Sequence, residues 1–332
     1  MALFENANYD FIKWRWHAIA LSSLIIIAGF VYGLQRGIPL GIDFSGGTIV
    51  VVKFAQPVTD DQVRQAVAPV ATESVIQTYG DAAQNQKQIR LPQVIDESEN
   101  ALDKNARAIV DALTKANLGQ FEVISQELVG PVIGADLQRK GIYATLASIV
   151  GITIYIGLRF RFAFAIGAIA ATLHDVFVTF AFLFFFGYDL SLNVIAAILT
   201  ITGYSVNDTI VIFDRVRENM RTKRRDSLEK VVNESVNQTL SRTIITAGTT
   251  FLAVLALYLF GGEVLEGFAF TMLVGIISGT YSTIFIAAAV AILMSKRAAG
   301  PPAGAAAVAA QAARTGRPAG GKKTATRKVN AG

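Results

Sequence analysis

Two carboxylates stand where carboxylates are costly. Asp175 and Asp208 each interrupt a long charge-poor stretch of this 332-residue sequence, at 162–188 and 190–213. A charge placed in hydrocarbon costs about 2.5–3.5 kcal/mol on insertion scales, so such a residue faces protein or water and has a task. Asp208 lies in Gly203-Tyr204-Ser205-Val206-Asn207-Asp208-Thr209. On a helix, Tyr204, Ser205 and Asp208 share one face, with Thr200 and Asn207 at its border. Arg242 opens the next apolar stretch, and Thr246, Thr249 and Thr250 follow it at helical spacing. Two consecutive helices therefore each carry a polar stripe, and packing them together would bring Arg242 to Asp208 and leave hydroxyls to support a water chain. A partly buried carboxylate beside a fixed guanidinium switches between protonated and ion-paired states, the chemistry of a proton relay. The same pair also suits a static clamp between two helices. Asp175 sits at the centre of its stretch and is the further relay candidate. Gly167, Ala171 and Asp175 share a face on which a neighbouring helix can approach closely. His174 points about 100° away from Asp175, which argues against a direct His–Asp pair on one helix.

Other chemistries are excluded by composition. The sequence has no cysteine and only two histidines, His17 and His174, so thiolate catalysis, disulfides, a histidine-rich metal centre and a serine–histidine triad have no material. His17 opens an apolar stretch and reads as an interfacial residue. Gly46-Gly47 after Asp43 lacks the Gly-x-x-x-x-Gly-Lys-Ser/Thr pattern of a phosphate loop and reads as the turn entering a strand. No metal or organic cofactor is expected, and a relay would use H⁺ as its coupling ion, with Na⁺ as the alternative.

The elements that must position these residues follow from hydropathy. Hydrophobic residues make up 52% of the chain and charged residues 17%, with mean hydropathy +0.45. A soluble domain is about a quarter charged. Six stretches hold at most one Asp, Glu, Lys or Arg each: 16–35, 141–158, 162–188, 190–213, 243–262 and 267–295. All are long enough for a helix to cross the bilayer core, which takes roughly 20 apolar residues. A soluble globular enzyme is excluded. The first stretch follows Lys13 and Arg15, but it is longer than the roughly 7–15 apolar residues of a signal peptide and no Ala-x-Ala follows, so it reads as an uncleaved anchor. Gly29 and Gly33, and Gly275 and Gly279 with Thr271 and Thr283, lie at four-residue spacing and read as helix-packing faces.

Charge sorts the connections. Segment 36–140 carries ten basic and thirteen acidic residues, whereas 214–242 carries eight basic and five acidic, and the tail 296–332 eight basic and none acidic. Short basic connections stay cytoplasmic, which puts both termini (1–15 and 296–332) and the basic loop 214–242 inside, and 36–140 outside. The net charge of +5 thus reports topology, and no specific nucleic acid is expected as a partner. Within 36–140, strand-like runs at 47–54, 72–79, 87–94 and 121–128 alternate with helical segments. The first of these opens on a Thr59/Gln62 capping-box pattern, and the second covers about 97–117. The order β-α-β-β-α-β is ferredoxin-like. The Ala/Gly/Pro/Lys tail cannot bury a core and reads as disordered, with anionic lipid, RNA or an acidic protein as conceivable contacts.

Four motifs converge on one resemblance: Gly41-Ile42-Asp43-Phe44-Ser45-Gly46-Gly47, Val129-Gly130-Pro131-Val132-Ile133-Gly134, the run from Gly203 through Asp208 to Asn219, and Arg242-Thr243. Together they resemble the SecD/SecF family of bacterial protein-export membrane proteins, in the resistance-nodulation-division (RND) superfamily, from the N-terminus to about Arg297. The resemblance implies a SecF-type, six-helix half-RND bundle with a ferredoxin-like α+β exterior domain, in the bacterial inner membrane. It implies pairing with SecD beside the SecYEG channel, with the SecA motor and YajC as further partners and unfolded preprotein handled on the exterior side. It also implies the proton-motive force as driver and no enzymatic turnover. The family's proton-linked acid maps onto Asp208 and its basic partner onto Arg242. The same architecture also suits half of a proton-driven exporter of small molecules or lipids, and a third reading is a passive scaffold subunit.

Overall fold

A computed structural model describes residues 7–71, 74–80, 82–91 and 99–298. The basic tail anticipated from the sequence lies outside the described residues beyond position 298. Helix α1 (Arg15–Arg36) is the first apolar stretch and ends at Gly37. A single helical turn, α2 (Ile42–Ser45), leads through Gly46 (φ 68°) and Gly47 (φ 128°) into strand β1 (Gly47–Phe54). Both angles lie where side chains are disfavoured, so the glycine pair is what lets the chain turn there.

Helix α3 (Asp60–Val67) opens on the anticipated reciprocal box: Gln62 N–H donates to Thr59 Oγ1 at 3.3 Å and Thr59 N–H to Gln62 Oε1 at 2.9 Å. Strands β2 (Val75–Thr78) and β3 (Gln86–Leu91), helix α4 (Glu99–Lys115) and strand β4 (Phe121–Val129) complete the α+β domain that the charge pattern assigns to the exterior. The sheet is antiparallel in the order β2-β3-β1-β4, the ferredoxin-like arrangement. Alternation along β1 divides its side chains between two faces. Val50, Val52 and Phe54 pack with Val63, Ile109 and Leu113 beneath α3 and α4. On the other face Ile49 stands between Arg90 of β3 and Glu127 of β4 in cross-strand register.

The remaining elements are helical. They are α5 (Pro131–Arg159), α6 (Phe162–Phe186), α7 (Leu192–Thr222), α8 (Leu228–Phe260) and α9 (Glu263–Ser282), which runs through a π-turn at Thr283–Ala287 into α10 (Ala288–Ala298). With α1, these provide six helices long and apolar enough to cross a membrane among the described residues. Three depart from the charge-poor windows. Helix α5 begins at Pro131, so 131–140 are its first turns rather than part of the exterior domain. Proline opens a helix without loss because the first N–H groups have no intrahelical partner. Segment 214–242 is not a loop: α7 runs on to Thr222 and α8 starts at Leu228, leaving a turn at 223–227. Asn219 of α7 donates to Ser235 Oγ (2.8 Å) and Gln238 Oε1 (2.9 Å) of α8 and zips this polar hairpin together.

Glycines set the distances between helices. A Cβ added at Gly33 would lie 2.7 Å from the Phe184 ring, and one at Gly29 would overlap Ala181, so α1 lies directly on α6. Gly275 and Gly279 do the same for α9 against Ile201 and Ser205 of α7. Helices α6, α7 and α9 thereby form the buried centre, whereas the apolar windows of α5 and α8 are only 6% and 11% buried and face outward. The segment before α1 is clasped to α8: Tyr9 N–H donates to Asn237 Oδ1 (2.8 Å) and Phe11 N–H to Asn233 Oδ1 (3.0 Å).

Candidate functional site

The two intramembrane carboxylates sit in opposite environments. Asp175 of α6 is fully enclosed at the centre of the bundle and accepts from three serine hydroxyls: Ser205 of α7 (2.6 Å), and Ser278 (2.7 Å) and Ser282 (2.7 Å) of α9. The His174 ring folds back along the helix and places Nδ1 3.2 Å from Asp175 Oδ1. The helical-wheel angle that argued against such a pair describes the Cα–Cβ directions, and rotation of the side chains closes the gap. His174 Nε2 is buried without a partner among the described residues, and the ring stacks on Tyr281 at 6.0 Å. The π-turn begins one residue after Ser282, and its Thr283 Oγ1 lies 3.0 Å from Thr209 Oγ1 of α7. Single π-turns often mark functional sites.

Asp208 is only half satisfied. Its Oδ1 accepts from Thr243 Oγ1 of α8 at 2.8 Å, while Oδ2 is buried with no partner among the described residues. Arg242 makes no ion pair with Asp208 within 4.0 Å among the described residues, although it is close enough for its charge to act on the carboxylate. The side chain that contacts Asp208 is thus Thr243, one position along from the expected guanidinium. Tyr204 is half-buried and packs against the apolar cluster of Ala197, Ile201 and Val254. Ser205, expected on the Asp208 face, is turned inward to Asp175. Asn207, Arg242 and Thr246 are exposed, and Thr246 Oγ1 bonds its own helix at Arg242 O (2.8 Å). The polar stripe therefore divides. Ser205 joins the inner hub, Asp208 bridges to Thr243, and Asn207, Arg242 and Thr246 form an uncovered polar strip on the outside of the bundle.

The serines of α9 escaped the sequence reading. Their four-residue spacing beside Gly275 and Gly279 was the available signal: Ser278 and Ser282 follow each of those glycines by three residues and share the buried side of α9.

Asp43, Gly46 and Gly47 lie at the other end of α7. Asp43 Oδ2 accepts from Leu192 N–H at 2.8 Å and caps the helix that carries Asp208. Arg90 reaches the same corner, 3.0 Å from Asp189 Oδ2. Burial pushes the Asp189 carboxyl up from the ordinary range and the Arg90 charge partly offsets this. Partial desolvation, then the Asp43 charge, raise Glu127 on β4. A carboxyl whose folded-state pKa is raised binds its proton more tightly in the folded chain. Its stabilising contribution is present at low pH and is lost as pH rises through the folded value. Glu127→Gln is therefore expected to stabilise the α+β domain near neutral pH and to flatten the rise in its stability between pH 7 and the ordinary glutamate value of 4.5. Thermal unfolding at the two pH values measures this, and an unchanged pH slope would contradict it.

Comparison with known proteins bears on this geometry. Residues 109–297 match the profile "Protein export membrane protein SecD/SecF, C-terminal", and residues 24–58 match the "SecD/SecF GG Motif". The chain is 41% identical over 307 residues to the protein translocase subunit SecF of Rhodothermus marinus, covering 90% of this chain and 97% of that one. Against the SecF of Escherichia coli O157:H7 it is 37% identical, covering 87% and 88%. The crystal structure of SecDF from Thermus thermophilus, described as a translocon-associated membrane protein, superposes with a TM-score of 0.77 at 32% identity over 89% of this chain. The chain spans 40% of that structure's length.

Proposed function

The chain belongs to the SecD/SecF family of protein-export membrane proteins, and from that premise we propose that it is the SecF-type half of a proton-driven translocase. It pairs with SecD and promotes preprotein movement through SecYEG, with SecA supplying the ATP-driven stroke and YajC as a further associate. Asp208 is the proton-binding group. The observation that carries this reading is the contrast between the two carboxylates. Asp175 has a donor on each oxygen and forms a finished structural hub, whereas Asp208 keeps a buried Oδ2 that has no partner among the described residues and can take a proton.

The exposed strip of Asn207, Arg242 and Thr246 supports a second membrane subunit on this side, because polar groups facing lipid are costly. Placement in the inner membrane with cytoplasmic termini draws on the same geometry. The segment before α1, the α5–α6 turn with Arg159 and Arg161, and the basic α7–α8 hairpin lie at one end of the bundle, tied by Tyr9–Asn237 and Arg159–Asp214 (3.0 Å) contacts. Short basic connections stay inside.

Exchanging the two charges tests the relay against a clamp. The double variant Asp208→Arg/Arg242→Asp, assembled with SecD and the channel in membrane vesicles, is expected to give no proton-dependent export stimulation. Restored stimulation would favour the clamp.

A further inference from the structure

The exterior sheet and the relay helix meet in a small, densely bonded corner that the relay itself does not use. Helix α7 begins with N–H groups that have no intrahelical partner, as every helix does. Ser191 Oγ takes one of them, from Val194 at 3.3 Å. Asp43, from the turn that feeds β1, takes another, from Leu192 at 2.8 Å. A carboxylate at this end also meets the positive pole of the helix.

The backbone adds a second set of ties. Gly41 N–H donates to Leu190 O (2.8 Å), Leu190 N–H donates to Pro39 O (2.7 Å), and Leu40 and Leu190 form a parallel bridge. A Cβ at Gly41 would sit 2.9 Å from Leu190 O, so glycine is what permits the approach. Arg90 supplies the third set. From β3 it pairs with Asp189, and it also donates to Leu40 O and to Ser45 Oγ (3.1 Å). One side chain of the sheet thus grips both sides of the corner.

From Leu192 to Asp208 the chain is one uninterrupted helix. Sixteen residues at 1.5 Å each make a rod of about 24 Å between the capped end and the carboxylate.

We propose that Asp43 is a positioning residue: with Arg90 and the Leu40–Leu190 bridge it makes the exterior sheet and α7 one mechanical body, so that displacement of α7 at Asp208 is carried into the exterior domain. This rests on the proton-driven reading above. The joint stays engaged throughout the cycle, since cap, bridge and ion pair hold it from three directions.

The test uses the full chain assembled with SecD and the channel in vesicles, where the absence of native cysteine leaves an introduced pair as this chain's only thiols. Asp43→Ala is expected to raise hydrogen exchange at amides 192–195 about five- to thirty-fold, the factor set by loss of a helix cap. Proton uptake should stay at the wild-type level while proton-dependent export falls about five-fold or more. Asp43→Asn, which keeps an acceptor for Leu192 N–H, should retain most of the stimulation. Adding Leu40→Cys and Leu190→Cys to Asp43→Ala should restore export when oxidised and lose it again on reduction, because the disulfide remakes the joint. Bridge partners lie within the Cα spacing a disulfide spans. Full export by Asp43→Ala, loss of its proton uptake, or failure of the oxidised pair to restore export would each overturn the proposal. Abolition of export by the oxidised pair in the otherwise unchanged chain would do so too, and that arm holds even if Asp43→Ala fails to fold. Asp208→Asn run alongside separates the two ideas. If it exports normally the proton-driven reading falls, while exchange at 192–195 still reports on the joint.

Discussion

Asp208→Asn is expected to reduce proton-dependent export to the level seen without a gradient, while co-purification with SecD is unchanged. Asparagine keeps the shape of aspartate and an oxygen to accept from Thr243 Oγ1, so the α7–α8 contact survives. What it removes is the oxygen that can exchange a proton. One elementary charge crossing 100 mV supplies about 2.3 kcal/mol, and at about 1.4 kcal/mol per tenfold this biases a two-state bundle roughly fifty-fold. That bias is what the variant forgoes. The measurement is preprotein translocation into vesicles with and without an imposed gradient, alongside pull-down of the assembled complex. Stimulation at the wild-type level in the variant would remove Asp208 from the mechanism.

Asp175→Ala should act on a different quantity. Ser205, Ser278, Ser282 and His174 all converge on this carboxylate, and removing it takes the acceptor from the buried Ser205 and Ser278 hydroxyls, while Ser282 keeps only its bond to Gly279 O at 3.2 Å. Each orphaned group costs about 1–3 kcal/mol, so the total reaches several kcal/mol and consumes much of the roughly 5–15 kcal/mol that keeps an ordinary folded protein together. The expected outcome is a large fall in the unfolding midpoint of the detergent-solubilised protein and early cleavage within α9. Asp175→Asn, which retains one acceptor and whose amide can donate to serines that rotate, should lose much less. If Asp175→Ala melted with the wild type, the hub would not be holding α6, α7 and α9 together. In the sequence Asp208 is the main relay candidate and Asp175 the further one. Their partners divide them into one that ties three helices together and one with a buried oxygen that has no partner among the described residues.

Charge-poor windows read the membrane part well because hydrocarbon excludes charge whatever the tertiary structure. The glycine faces were legible for a related reason: Gly29, Gly33, Gly275 and Gly279 have no side chain to offer except space. The Thr59 box was readable because its partners are three residues apart. Failures came where hydropathy and helicity part company. Residues 214–222 and 228–242 are charged but helical, held by contacts such as Asn219–Ser235 that a window average does not register. The Asp175 hub was illegible for a second reason. Its donors lie 30, 103 and 107 residues away in sequence, and no local spacing encodes which of two polar faces turns inward. Arg242 illustrates the same limit. A helix face predicts a neighbourhood, and a rotation of one residue decided that Thr243 rather than the guanidinium touches Asp208.

The clasp between the start of the chain and α8 has a consequence in time. Tyr9 and its partner Asn237 are 228 residues apart. At about 5–20 residues per second of synthesis, Tyr9 is made roughly ten to forty-five seconds before the asparagine that will hold it. During that interval α1 can settle against α6, which is made earlier, but its leading segment has no seat. The order of manufacture thus makes the clasp a closing event: it forms only after α7 has turned back into α8. A nascent chain arrested before Asn233 would hold its spans with that end unfastened.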